Sequence, residues 1–487
     1  MENMVFDLTK PHCYYFNEIC KIPHGSRNEK ALSDWICSIA REHGLSYLQD
    51  DMWNVVVYVP ATPGYEDHKG LIIQAHIDMV CEKRPESTHN FETDPLELHV
   101  EGTHLMANGT TLGGDDCMGA AYMLDIMTDE TLKHPYLELC FTVQEEIGLF
   151  GAMALKPEYF KARQLVNLDG GGEIRTYTTL AGARNLIIEK DLKMAPCADA
   201  AYDLHVYGLL GGRPGDDISK ERANAVKLMA KCLYAFHEAG IAVRLAAGQS
   251  GVKVKTGICA DVDVTFCTTA RVEDMEHVLA GVRATIRDEY EYFDPDITVE
   301  LTKAEPCAMA AGEKETEELV EFIHLLPFGV INRFLPLAGP DGVTGLPSYS
   351  ANIGRFRVED GRAIIQYAGR SPFESYLDET RYTVDLLSRK LGLTVTGGND
   401  YYGYRYLKES PLRDTLDRVF LAQYGYPIKH MAAHGGNECG AFKHMHPDMD
   451  IVTSGAIYAK HHTPEEYLDL ESFDRCIRLL KSLVEAL

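Results

Sequence analysis

The chain has 487 residues, with 73 acidic side chains against 47 basic ones and a formal net charge of −26. At about 150 residues per domain this length makes roughly two to four domains, and 45% apolar with 25% charged residues excludes a largely disordered chain. Such an acidic balance excludes nucleic-acid binding through a broad basic face, so no nucleic-acid partner is expected.

Thirteen cysteines are scattered from Cys13 to Cys476 without a C-x-x-C pair. The opening MENMVFDLTK lacks the basic start and apolar run of a secretory signal. No stretch reaches the ~18 apolar residues needed to span a bilayer. The expectation is a cytoplasmic protein with reduced thiols and no membrane partner.

In chain order, residues 54–59, 71–76, 136–143 and 164–168 read as strands, and 118–127 reads as a helix after the Gly113-Gly114 turn. Strands alternating with helices predict an α/β fold, a sheet flanked by helices. The middle of the chain has another texture. It holds a strand at 204–208, a helix over 223–239, the alternating ADVDVTF of 260–266, a helix over 272–290, and strands near 297–302 and 363–367. Beyond residue 400 come a helix over 411–424, a strand over 450–458 and a closing helix over 471–486. The simplest architecture is one α/β domain, residues 1–186 and 396–487, interrupted by an inserted α+β domain, residues 187–395.

No serine stands in G-x-S-x-G, and neither H-E-x-x-H nor a phosphate loop occurs. The chemistry-bearing residues sit instead at strand ends, which in a mostly parallel sheet converge on one crevice. The run Gln74-Ala75-His76-Ile77-Asp78 ends an apolar strand, and a carboxylate two residues from a histidine can hold its second nitrogen. Thr110-Thr111-Leu112-Gly113-Gly114-Asp115-Asp116 brings two carboxylates to a helix start, where capping alone is the ordinary reading. Gln144-Glu145-Glu146-Ile147-Gly148 follows another apolar strand, so one glutamate can bind metal while its neighbour handles protons. Asp169 closes a further strand before three glycines, and His461-His462-Thr463-Pro464-Glu465-Glu466 follows the last. Each has an ordinary structural reading alone. Together they form a nitrogen and oxygen donor set suited to zinc, with manganese or cobalt possible, and two close cations sharing a carboxylate would form a hydrolytic clamp.

At these residues the sequence resembles the aminoacyl-histidine dipeptidases (Xaa-His or β-Ala-His dipeptidases), a branch of the carnosinase-like co-catalytic zinc peptidases. The likeness is densest in QAHIDMV, FETDPLELHVEG, GTTLGGDD, QEEIGLFGA, LVNLDGGGEI, HGGNECGAF and the final HTPEE. The resemblance implies two divalent metal ions, with His76 on one, His462 on the other and Asp115 bridging. Glu146 and Asp169 would complete the sites, Asp78 would orient His76, and Glu145 would be the general base. His462 is chosen over His461 because the family's histidine directly precedes Ser/Thr-Pro. The inserted domain would be the family's lid and supply homodimer contacts. Arg370 in AGRSPFES would grip a substrate carboxylate, and His434 and Glu438 would stand on the substrate side.

The lid departs from the pattern. The family's Gly-Gly-His-Ser-Gly becomes Gly211-Gly212-Arg213-Pro214-Gly215, so an arginine replaces the histidine that helps hold the oxyanion. An Asn-Ala-Ile-Pro stretch expected near residues 252–255 is not recognisable. Arg213 could compensate as a permanent cation with several donors. The expectation is metal-dependent hydrolysis of dipeptides. Hydrolysis of another amide, such as an N-acyl amino acid, and a catalytically impaired metal- or peptide-binding relative remain open.

Overall fold

The computed structural model describes residues 4–251, 257–334 and 346–487. The sheet that carries the expected chemistry has six strands. Leu137–Thr142, Leu71–His76, Gln164–Asn167 and Asp450–Thr453 lie side by side in that order and run parallel. Val55–Val59 pairs antiparallel with Leu137–Thr142, and Ser46–Gln49 forms the edge, so the sheet is mixed. The central strands LIIQAH and LELCFT are buried along their whole length. Burial on both faces is what such unbroken apolar runs require.

Period two sorts those strands between two cores. Leu71, Ile73 and Ala75 face one core with Leu139 and Phe141, beneath the helices Pro11–Ile19, Gly114–Thr128 and Leu470–Ala486. Ile72 and Cys140 face the other, with Leu155 and Phe442. Gly119 lets Gly114–Thr128 press onto the sheet, since an added Cβ would lie 2.9 Å from the Ala75 Cβ and 2.7 Å from that of Leu168.

A second, nine-stranded sheet is antiparallel throughout. Its apolar core draws on residues 186–393, whereas the main core of the first sheet draws on 13–168 and 412–484. The expected boundary at 187 falls inside the strand Gly182–Asp191, and that at 395 inside Thr394–Gly397. Both strands belong to the nine-stranded sheet, which therefore reaches a little beyond the expected limits.

The strand expected over 450–458 is two strands in two sheets. Asp450–Thr453 edges the six-stranded sheet, while Tyr458–Ala459 pairs with Tyr467–Asp469 in a four-stranded sheet shared with His104–Ala107 and Leu98–Glu101. The break comes at Ser454-Gly455, where a Cβ on Gly455 would stand 2.6 Å from the Leu168 carbonyl oxygen. All thirteen cysteines are free thiols. Among the described residues no helix is long and apolar enough to cross a membrane.

Candidate metal centre

Parallel register brings the carboxyl ends of the central strands together. His76 is opposite Thr142, and Gln74 is opposite Asn167, so His76, the Glu145-Glu146 turn and Asp169 emerge side by side. Asp115 enters from the first turn of Gly114–Thr128, and His462 from the loop beyond Tyr458–Ala459. Two loops thus close over one sheet edge, as ligand sites of open α/β sheets do.

His76, 1% exposed, stands between two carboxylates. Its Nδ1 lies 3.1 Å from the Asp78 carbonyl oxygen and 3.4 Å from Asp78 Oδ1, while its Nε2 lies 3.4 Å from Asp115 Oδ1. The other oxygen of Asp115 is 3.8 Å from His462 Nε2, which itself lies 2.8 Å from Glu146 Oε1. His76, Asp115 and Asp169 each offer a donor atom within 4.8 Å of the others, and so do Asp115, Glu146 and His462. Asp115 belongs to both groups. His461 turns its ring edge-on to Tyr458, and it is His462 that meets Glu146 and Asp115.

The electrostatics call for cations. Burial, followed by the neighbouring Glu146 and Asp169, pushes the Glu145 carboxyl well above its usual range. Burial and Asp115 do the same to Asp169. Burial opposes a charge on His76, yet the contacts with Asp115 and Asp78 outweigh it and hold its proton tightly. Anionic groups so crowded are short of positive charge, and a set of imidazoles and carboxylates fits divalent cations of the zinc, manganese and cobalt type.

Behind these residues lies a supporting layer. Asp78 accepts from the Ser26 hydroxyl at 2.7 Å and from the N–H groups of Glu145 at 2.9 Å and Glu146 at 3.2 Å. One carboxylate therefore steadies both His76 and the glutamate turn. Glu29 accepts the Gln144 N–H at 3.0 Å, and the Tyr458 hydroxyl donates to Asp169 at 2.9 Å. Glu466 accepts backbone N–H groups of the turn before Asp115. No motif marks Ser26, Glu29 or Tyr458 for this layer, and Glu466 stands in a quoted motif without a role of its own.

The expected substrate-side residues divide. Arg370 is opposite Ser350 in the nine-stranded sheet, and Ser350 Oγ lies 2.6 Å from His434 Nε2. The Arg370 guanidinium carbon is 5.9 Å from the centre of the Tyr401 ring. Arg370 and His434 thus both adjoin Ser350, where the nine-stranded sheet meets the turn after Lys429–Ala433. Burial, with the Arg370 charge adding to it, pushes His434 down to about 3.

Glu438 is placed differently. It is 1% exposed and accepts from Gln74 Nε2 at 2.5 Å and Thr142 Oγ1 at 2.7 Å. This puts it in a polar layer at the sheet's carboxyl edge, against Gln74 and Thr142. Arg213 is exposed, and its N–H donates to Asp217 Oδ2 at 2.8 Å. Its loop touches the first domain: a Cβ on Gly215 would lie 3.3 Å from the Gly435 Cα, next to His434. The stretch expected near 252–255 lies outside the described residues.

Residues 72–486 match peptidase family M20/M25/M40. The chain is 29% identical over 477 residues to the cytosol non-specific dipeptidase of Escherichia coli strain K12, covering 96% of each chain. The crystal structure of aminoacylhistidine dipeptidase from Vibrio alginolyticus superposes with a TM-score of 0.88 at 28% identity, covering 98% of this chain and 96% of that one. Aminopeptidase PepT from Bacillus cereus shares the fold, with a TM-score of 0.59 at 15% identity over 99% of both chains.

Proposed function

This chain belongs to peptidase family M20/M25/M40, and on that premise we propose that it is a cytoplasmic metallo-dipeptidase. The carrying observation is the position of Asp115, whose two oxygens face His76 and His462 and which belongs to both donor groups. His76, Asp115 and Asp169 would hold one divalent cation, and Asp115, Glu146 and His462 a second, with zinc the first choice. When bound, the pair supplies Lewis acidity toward a water and the scissile carbonyl.

The rest of the chemistry belongs to the chain. Glu145 accepts the proton of the attacking water on its carboxylate and returns it to the leaving amine. Asp78 holds the Nδ1 side of His76, so that Nε2 points at Asp115 and the cation position. Arg370 would grip the carboxylate end of a small peptide bidentately, beside a His434 kept neutral by its burial. Arg213 would reach the developing oxyanion from the loop seated against Gly435, in the role a histidine has in the resembling family. The inserted domain would act as the lid and hold a homodimer together.

The test is an assay of metal-stripped protein reloaded with Zn²⁺, Mn²⁺ or Co²⁺ on dipeptides with and without histidine. Hydrolysis that returns with metal supports the reading. Turnover only on N-acyl amino acids would move the protein to the other amide hydrolases. Two bound ions with no hydrolysis of either class would make it a binding relative.

A further inference from the structure

The turn that delivers Asp115 is held from the far end of the chain. Gly113 precedes the helix Gly114–Thr128 and has no side chain to cap it, and the first N–H groups of a helix have no partner within it. Glu466 takes them. Its Oε2 accepts the N–H of Leu112 at 2.8 Å and of Gly113 at 3.2 Å, and its Oε1 accepts that of Gly114 at 2.9 Å and faces that of Asp115 at 3.5 Å. The side chain is buried, at 2% exposure.

The segment bearing Glu466 is itself braced. The Glu466 N–H donates to the Thr463 carbonyl at 3.0 Å, and the Thr463 hydroxyl donates to the Lys460 carbonyl at 2.7 Å. His462 lies inside this short turn with a left-handed φ of 63°. One braced segment therefore carries the imidazole that faces Glu146 and the carboxylate that holds the Asp115 backbone.

We infer that Glu466 is a positioning residue: by clamping the Leu112–Asp115 turn to the His462 turn, it fixes the spacing of the two metal positions. This rests on the two-metal reading above. A carboxylate suits the task because both oxygens only accept, so each can take N–H groups from one side of the turn. A glutamine would aim its NH₂ at N–H donors on one side and loosen the clamp there. A plain helix cap would affect stability alone, whereas a spacer must also affect metal affinity.

The test is titration of metal-stripped Glu466→Gln protein with Zn²⁺ or Mn²⁺ against a competing chelator, without substrate. The expected result is metal binding weakened about 10–100-fold, the usual cost of removing a partner of a metal ligand. With saturating metal, kcat falls while KM for a dipeptide stays near the wild-type value. Glu318→Gln, which breaks the Lys190 pair of the inserted domain at 2.7 Å, serves as the control for lost stability alone and keeps wild-type metal affinity. Glu466→Asp retains two accepting oxygens and should keep more affinity than Glu466→Gln. If Glu466→Gln does not fold, the shortened Asp side chain carries the test, with weaker binding than wild type expected.

Wild-type affinity in the folded variant, or a loss no greater than that of Glu318→Gln at equal thermal stability, would overturn the inference. A wild-type protein that binds two ions but cleaves no dipeptide would overturn the functional reading. The affinity comparison would still decide the role of Glu466.

Discussion

His462 Nε2 and Glu146 Oε1 lie 2.8 Å apart although 316 residues separate them in the chain. The contact joins the turn after Tyr458–Ala459 to the turn after the strand Leu137–Thr142. In the proposed centre both groups would hold a cation together with Asp115. His462→Ala should therefore reduce bound metal from two equivalents to about one and leave the His76, Asp115 and Asp169 group loaded. Lewis-acid stabilisation worth several kcal/mol would go with it, so kcat should fall by about 10²–10⁴. Metal analysis of the purified variant, beside its rate, checks both; two retained equivalents would refute the assignment.

Much of this site was legible because parallel strands write their chemistry at predictable places. An apolar run ending in His76, another ending before Glu145-Glu146, and a third ending at Asp169 each mark a carboxyl end. The sequence could not show the supporting layer. Ser26 and Glu29 sit in a loop far from Asp78 and Gln144, and only the fold brings them into bonding range. Glu466 stands in the HTPEE motif with no role assigned to it, because nothing local says that a distant glycine turn buries it. The run from 450 to 458 reads as a continuous strand, since its break depends on how closely Gly455 approaches Leu168. The change of pattern after residue 186 is what raised the expectation of an inserted domain. The ends of the nine-stranded sheet were not legible, because Gly182–Asp191 and Thr394–Gly397 are ordinary strands whose sheet membership is decided by pairing.

His434 gives a pH dependence with a definite sign. It titrates at about 3 in the folded protein, against an ordinary 6.5, because it is buried and Arg370 is near. Between those values the unfolded chain binds a proton that the folded one refuses, so stability falls as pH drops through 6.5 toward 3. From pH 6.5 to 4.5 this one group should remove about 2 kcal/mol. Urea unfolding of metal-free protein at the two pH values should show wild type losing that much more than His434→Gln. Equal losses would show that the histidine is not held neutral.

Arg370 and Arg213 should separate binding from chemistry. If Arg370 grips the substrate carboxylate, Arg370→Lys loses the bidentate geometry and raises KM about tenfold while kcat changes little. Steady-state kinetics on one good dipeptide settles this, and an unchanged KM would remove Arg370 from the carboxylate subsite.

Arg213 is a long permanent cation where the resembling family has a histidine. Arg213→His should raise dipeptide turnover, and Arg213→Ala should lower it by up to about 10²–10³, the range for one oxyanion donor. Metal content should stay at the wild-type level in both. A lower rate in Arg213→His would show that the arginine has a role of its own.

Glu145 is proposed to move the proton in a hydrolysis carried out beside Asp115, His76 and His462. The most direct test is the single-turnover rate of Glu145→Gln on a dipeptide cleaved by the wild type, with both proteins metal-loaded and their metal content measured. The expected result is an unchanged metal content and a rate lower by about 10²–10⁴. A variant that keeps its metals and cleaves at the wild-type rate would contradict it.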